Sequence, residues 1–517
     1  MKYLAILLIH IFIISVSHAD NNHCHSLAEL ELPNTEITLA EVVPAGPFIM
    51  PKSPVLPEKT VDNIPEFCRV KGTVQPSIEF EVWMPSPKVW NGKFKAVGVG
   101  GLAGVIKYDD MISSVQLGYA TASTDTGHKR KDDQGRVQTD WLRNPGLLRD
   151  YGYRGVHEMT LKSKKLIEAF YGKTADYSYF NGCSGGGRQA MMEAQRYPDD
   201  YDGIVAGAPA IHFIEIFYSA LWTTLAGKPI DDNTTLLKPE DLKLVNQYIL
   251  KQCDQLDGVT DGLLEDPREC RFDGAGLLCP DLETKADCLT IDQVNAIKKV
   301  YQGPKNSNTG RLLHYGFMLG SELMAGGWSW ELASEAVPTQ FNFFFSHAVK
   351  DGPAWDWRSF DFDKDVTLAM RRTGSMVQAT DPNLDPFRSK GGKIIMYHGW
   401  NEQIIPPEAS IDYYKTVADN LPMVTPSTAY RETADFFRLF MVPGMGHCGG
   451  GPGPNEFDAQ LALEDWVERG IAPSKIIAKK RDGNKVVRSR PLCPYPKTAK
   501  YTGQGDINKA QNFRCVD

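Results

Sequence analysis

The chain has no run of basic residues. Its 56 Lys and Arg are outnumbered by 64 Asp and Glu, for a net charge of −8 and a pI of about 5.8. Binding along a nucleic-acid backbone needs clustered cations to neutralise phosphates, so nucleic acid is not expected as the main partner. No Cys-x-x-Cys pair occurs among the ten cysteines, which weighs against a cysteine-held metal. Beyond the N-terminal apolar stretch, no hydrophobic run is long enough to span a bilayer. Internal repeats and low-complexity tracts are also missing. A hydrophobic content of 42% with 23% charged residues is globular, and 517 residues exceed one ordinary domain.

The N-terminus reads as a processing signal. Lys2 supplies a positive charge, Leu4–Val16 is apolar, and Ser17-His18-Ala19 offers small residues at −3 and −1. This pattern predicts a signal peptide over 1–19, with a membrane anchor as the alternative. A secreted or periplasmic protein follows. In an oxidising compartment an even number of cysteines points to disulfides. Cys24–Cys68, Cys253–Cys270, Cys279–Cys288 and Cys493–Cys515 are natural local pairs, leaving Cys183 and Cys448 for each other. Spacing alone leaves other connectivities open.

Apolar strands alternate with helices from Val70 to Ala210 and again from Lys390, which predicts an α/β protein with a parallel sheet. Strand candidates are Ile78–Trp83, Lys93–Val99, Tyr119–Thr124, Tyr177–Phe180, Gly203–Ala208, Lys393–Tyr397 and Phe437–Val442. Helix candidates are Arg154–Phe170, Gly187–Tyr197, Ser410–Leu421 and Glu456–Arg469. Leu30–Arg69, Pro-rich and polar, is read as a surface wrap. Between the two α/β stretches, paired cysteines, Asp-rich turns and aromatics dominate: Trp328, Trp330, Phe341, Phe343, Phe344, Phe345, Trp355 and Trp357 fall close together. This predicts a catalytic domain over 20–210 and 380–517, interrupted by a lid over 211–379.

Gly182-Cys183-Ser184-Gly185-Gly186 fits the Gly-x-Ser-x-Gly nucleophile elbow, with a strand-like run before it and a helix former after it. A serine hydroxyl is a weak nucleophile and needs to stand clear of the backbone beside a base. Chain order in such hydrolases is serine, acid, histidine. Glu402 lies in the loop after Lys393–Tyr397, and His447 follows Phe437–Val442, so Ser184, Glu402 and His447 form the candidate triad. Glu408 and Asp412 compete for the acid role but sit where a helix starts and where capping is the ordinary use. The backbone N–H of Gly185, next after the nucleophile, and that of Gly101 are the candidate oxyanion-hole donors. Cys183 precedes the serine as Cys448 follows the histidine. If Ser184 and His447 meet, these cysteines meet too, and a bond between them would staple base to nucleophile.

Between Cys253 and Cys270, Asp254, Asp257 and Asp261 fall at spacings of three and four, with Gly258 and Gly262 among them. Oxygen donors at this density suit Ca²⁺. A simple Asp/Gly turn cluster fits the same residues.

Together, Cys183-Ser184, Glu402 and His447-Cys448 resemble the Cys-Ser…Asp…His-Cys arrangement of the tannase/feruloyl esterase family, which includes mono(2-hydroxyethyl) terephthalate hydrolase. The resemblance extends to Thr121–His128, Gly203–Pro209 and the cysteine pattern. It implies an α/β-hydrolase fold with a large inserted lid, a Cys183–Cys448 disulfide, and a structural calcium in the lid. The calcium ligands would be the side chains of Asp254, Asp257 and Asp261 and the carbonyls of Val259 and Leu263. It also implies a serine esterase acting on small esters of phenolic or aromatic acids. Terephthalate monoesters are the alternative substrates, and a non-catalytic binder on the same scaffold is a third reading. The family usually has Asp where this chain has Glu402. The added methylene requires a compensating shift of the loop.

Overall fold

The computed structural model describes residues 23–517, apart from 53–57, 133, 229–233, 281–286, 334–343, 351, 353–354 and 423–424. The expected signal peptide, Phe341 and Phe343 lie outside the described residues. The chain separates into two compact units, one ending at Gly203 and the other beginning at Ile204.

The first unit holds strands β1 (Thr35–Val43), β2 (Gly46–Ile49), β3 (Thr60–Ile64), β4 (Phe67–Val74), β5 (Ile78–Pro85), β6 (Lys93–Val97), β7 (Ala120–Thr124) and β8 (Tyr177–Cys183). Six of them are ordered β1-β4-β5-β7-β6-β8, while β2 and β3 pair as a separate antiparallel ribbon. The successive pairs β1–β4, β4–β5 and β5–β7 are antiparallel, whereas β6 runs parallel to both β7 and β8. Every residue of β7 is buried, as expected of a strand covered on both faces. Helix Gly155–Tyr171 buries Val156, Met159, Leu166, Ile167 and Phe170 and stops at Gly172, whose φ of 70° is a left-handed cap suited to glycine.

Leu30–Arg69 is not merely a surface wrap. β1 pairs with β4 along nearly its whole length, and β2 and β3 form their own ribbon. Thr35–Val43 alternates Thr, Ile, Leu and Val with acidic residues, and no residue of it is fully buried. That is the composition of an edge strand, in which charge protects an open side.

The second unit holds β9 (Gly203–Gly207), β10 (Lys393–Gly399) and β11 (Phe437–Val442), adjacent in that order, with β10 and β11 parallel. Between β9 and β10 the described residues are helical and irregular, without a named strand. This insertion has its own core. Leu242, Val245, Ile249, Val294, Ile297 and Trp328 are buried together, on helices Pro239–Cys253 and Ile291–Gln302 and the short helix Gly327–Ala333. Thr290 and Gln293 form a capping box that starts the second of these helices. Disulfides Cys253–Cys270 and Cys279–Cys288 staple the insertion, and bridges over such short loops contribute about 3 kcal/mol or less each. Most of the crowded aromatics belong to this interior. Phe344 stacks on Phe217 at 4.5 Å, and Phe345 packs edge-on against Phe360 at 4.7 Å. Trp330, in contrast, is 44% exposed. After helix Ala459–Arg469, two hairpins close the chain, β12 (Ile476–Asp482) with β13 (Lys485–Leu492) and β14 (Thr498–Tyr501) with β15 (Phe513–Val516). Cys493–Cys515 joins the residue after β13 to β15, and Cys24–Cys68 ties the start of the first unit to β4. No helix among the described residues is long and apolar enough to cross a membrane.

Candidate active site

Ser184 stands at the turn between β8 and helix Gly185–Arg196. Its φ of 63° and ψ of −121° lie outside the regions an L-residue normally occupies. Such a conformation costs about 1–3 kcal/mol and persists only where surrounding structure enforces it. Here the enforcement is close packing of backbone on backbone. A methyl group on Gly182 would meet the Gly186 carbonyl oxygen at 2.5 Å, and one on Gly186 would meet the Gly98 carbonyl carbon at 3.0 Å. The helix beyond then accepts the turn, with the Arg188 N–H donating to the Ser184 carbonyl at 2.9 Å.

The two expected oxyanion donors are neighbours. A methyl group on Gly185 would lie 2.7 Å from the Gly101 carbonyl oxygen and 3.0 Å from the Gly101 nitrogen. Four hydrogen bonds fix the Val99–Leu102 loop. The Gln189 side-chain oxygen accepts from the Val99 N–H at 2.9 Å, Arg130 donates to the Gly100 carbonyl at 2.8 Å, and Tyr151 donates to the Gly101 carbonyl at 3.1 Å. His128 Nε2 meets the Leu102 carbonyl at 2.7 Å, with its ring stacked on Trp141. Burial lowers the His128 pKa to about 4, so this imidazole is neutral and its Nε2–H donates. Arg188, fully buried, reaches back to the Gly152 and Tyr151 carbonyls and lies over the Tyr151 ring. Gln189, Arg130 and Arg188 escaped the sequence reading, since nothing in a Gln or Arg beside a glycine turn marks it as a clamp.

In the second unit, Glu402 follows β10 and His447 follows β11. His447 Nδ1 lies 2.9 Å from both Glu402 carboxylate oxygens. Glu402 Oε1 also accepts from the Ile404 and Ile405 N–H groups at 2.8 and 3.2 Å. His398, fully buried on β10, brings Nε2 to 3.5 Å from Glu402 Oε2. Burial pushes the Glu402 carboxyl upward. The nearby His447 charge and the hydrogen bonds of His398 and His447 outweigh it and hold Glu402 well below the usual carboxylate range. Burial pushes His447 down, and the Glu402 charge and hydrogen bond outweigh that and raise it. The result is an ionised carboxylate facing an imidazole whose Nδ1 carries the proton, leaving Nε2 as the basic nitrogen. Gln403 fixes the histidine loop by accepting from the His447 N–H at 3.0 Å. Glu408 opens helix Glu408–Asn420 and Asp412 lies within it; the ring hydrogen bonds described for His447 go to Glu402. Cys183 and Cys448 are both disulfide-bonded, and no cysteine of the chain is free.

The Asp254–Leu263 loop folds around its own carboxylates. Asp254 accepts from the Asp261 and Gly262 N–H groups, Asp257 from Val259, and Asp261 from Leu263. Arg490 pairs with one Asp261 oxygen, and Arg488 lies 3.7 Å from it. Burial, together with the charges of Asp261 and Asp254, raises Asp257 to about 6. Burial, with Asp257 and Asp261 adding to it, raises the neighbouring Glu265 to about 8. Two arginine contacts leave this crowd of carboxylates under-compensated. The donors are all oxygen, so the residues fit a hard cation such as Ca²⁺.

A family model for tannase and feruloyl esterase matches residues 61–516. An uncharacterized esterase of Xanthomonas campestris pv. campestris is 38% identical over 538 residues, covering 96% of this chain and 91% of that protein. A probable feruloyl esterase B-2 of Aspergillus terreus is 33% identical over 518 residues, covering 95% of each. The crystal structure of feruloyl esterase B from Aspergillus oryzae superposes with a TM-score of 0.87 at 32% identity, covering 96% of this chain and 100% of that one. With the α/β-hydrolase fold and its large insertion, these likenesses show that the chain belongs to the tannase and feruloyl esterase family and is a carboxylic ester hydrolase.

Proposed function

We propose that the protein is an exported serine esterase cleaving esters of phenolic or aromatic acids by way of an acyl-enzyme. Ser184 is the nucleophile, His447 the base and Glu402 the acid that orients it. The observation that carries this reading is the His447–Glu402 pair. Its imidazole is held by both carboxylate oxygens at 2.9 Å, with Nδ1 engaged. Nε2 takes the Ser184 proton as Oγ attacks the ester carbonyl. The Gly101 and Gly185 N–H groups receive the developing oxyanion. The imidazolium then protonates the leaving alcohol, and a water activated by the same nitrogen releases the acid. Glu402 stays ionised throughout. A Cys183–Cys448 disulfide holds nucleophile and base together. It closes a loop of about half the chain, for which chain entropy alone would give roughly 5 kcal/mol.

The catalytic domain comprises 20–210 and 380–517, and 211–379 is the lid. Asp254, Asp257 and Asp261, with the carbonyls of Val259 and Leu263, would hold Ca²⁺, which supplies charge compensation and rigidity to the lid and takes no part in the chemistry. Cleavage after Ala19 and export accord with a chain in which no cysteine is free. The substrate class follows the names of the relatives, since the lid aromatics that are buried pack on one another. Hydrolysis of methyl ferulate, methyl gallate and a terephthalate monoester, followed by product chromatography, tests it. A preference for either phenolic ester is expected. Cleavage of the terephthalate ester alone would overturn the phenolic assignment, and no cleavage of any would overturn the esterase reading.

A further inference from the structure

The elbow helix carries a second buried glutamate whose surroundings are unlike those of Glu402. Glu193 is 1% exposed, and no N–H or O–H group among the described residues donates to either of its carboxylate oxygens; the group that meets it is the Asp200 carboxyl, with which it could only share a proton. Its polar neighbours include Asp200, 4% exposed on the turn after the helix, and His157, on helix Gly155–Tyr171, with Tyr197, Tyr201 and Lys164 also near. One ligand atom from each of the three lies within 4.8 Å of the other two. His157 Nδ1 is 2.6 Å from Asp200 Oδ2, and its ring stacks flat on Tyr197 at 3.7 Å, which fixes the imidazole plane. The nearby cation is Lys164, whose ammonium donates to the Asp199 carbonyl and lies over the Tyr201 ring.

The geometry points to a divalent transition-metal site formed by His157, Glu193 and Asp200. An imidazole nitrogen with two carboxylates is a borderline donor set, suited to ions such as Zn²⁺ or Mn²⁺ and distinct from the all-oxygen set of the lid loop. Ligand atoms around a tetrahedral ion at 2.0–2.2 Å stand roughly 3.3 Å apart. An entering ion therefore replaces the His157–Asp200 hydrogen bond and parts those atoms by less than ~1 Å. It also gives Glu193 and Asp200 a cation to share in place of a proton. His157 is partly exposed, with 24% of its side chain accessible, and opens a route for the ion.

The consequence is mechanical. Glu193 sits nine residues after Ser184, about two and a half turns along the helix that begins beside that serine. An ion there would bolt the far end of the elbow helix to helix Gly155–Tyr171. It lies outside the reacting atoms, so its role is to position the elbow.

The test uses the full chain, stripped with chelator, resupplied with saturating Ca²⁺ to fill oxygen-only sites, and titrated with Zn²⁺ by calorimetry. Wild type, Glu193→Gln and His157→Asn are compared, with circular dichroism confirming that each variant is folded. One Zn²⁺ per chain with micromolar or tighter affinity is expected in wild type, weakened at least tenfold in both variants. The melting temperature should rise with Zn²⁺ in wild type alone. Equal Zn²⁺ binding in all three proteins would overturn the site. So would absence of binding in wild type, which would leave Glu193 and Asp200 as a carboxyl pair sharing one proton.

Discussion

Two of the protein's buried glutamates, Glu402 and Glu193, meet opposite fates. Glu402 is surrounded by donors: His447, His398 and two backbone N–H groups converge on it, and it is held ionised. Glu193 accepts no N–H or O–H from the described residues, faces the Asp200 carboxyl, and is pushed toward its neutral form. Burial alone acts identically on both, raising the cost of the charged state. What separates them is the supply of partners. A buried carboxylate with partners can orient an imidazole, whereas one without them awaits a proton or a cation.

The largest break in that contrast is Glu402→Gln. It keeps the shape and removes the charge, and should lower kcat by roughly 10³–10⁴, the scale seen when a triad acid is neutralised. The pH profile should move with it. Glu402 raises the His447 pKa, so the acidic limb of kcat/KM in the wild type should lie above the ordinary histidine value of 6.5. In the variant that limb should shift to lower pH, as steady-state rates between pH 5 and 9 would reveal.

Stability should report the same contrast with opposite signs. Glu402 is depressed in the folded state, so its contribution is present above its unfolded pKa and lost as pH falls through the folded value. Glu193 is raised, so its contribution is present below its unfolded pKa and lost as pH rises through the folded value. In metal-free protein, Glu193→Gln should therefore stabilise by about 1–2 kcal/mol at pH 8 and have little effect at pH 4. Urea midpoints at the two pH values measure this. Chelation of the lid loop should act in the reverse direction, because it re-exposes like charges to one another. A melting temperature lower by several degrees, restored by Ca²⁺, is expected from calorimetry. The smallest effect should come from a neutral clamp. Gln189→Ala leaves the buried Val99 N–H unpaired, and a cost of about 1–2 kcal/mol at the Val99–Leu102 loop, proposed above to hold an oxyanion donor, should appear as a roughly tenfold fall in kcat/KM.

The glutamates also differ in how legible they were. The pairing of Glu402 with His447 could be read because hydrolase chain order sets the sequence strand, loop carboxylate, strand, loop histidine. β10, β11 and the elbow were visible for a related reason, since Lys393–Tyr397, Phe437–Val442 and Tyr177–Phe180 are short apolar runs ending in glycine or proline turns. Glu193 sits within Gln189–Arg196, where a glutamate looks like any helix former. Its partners at 157 and 200 come from another helix and a turn, and only the packing of these elements brings them together. β1 was missed because edge strands carry charge and bury little. The C-terminal hairpins were missed because Ile476–Asp482 and Lys485–Leu492 interleave Lys and Arg with few buried positions. Gln403 and Gln189 act through backbone N–H groups far away in sequence, so no local pattern marks them.

The most direct measurement is the esterase activity of Ser184→Ala against wild type on methyl ferulate, with intact-protein mass spectrometry of the wild type during turnover. A fall in kcat/KM of at least 10³-fold, with a transient feruloyl adduct on the wild type that maps to Ser184, is the expected result. Activity equal to wild type in the alanine variant would contradict a serine nucleophile at the elbow.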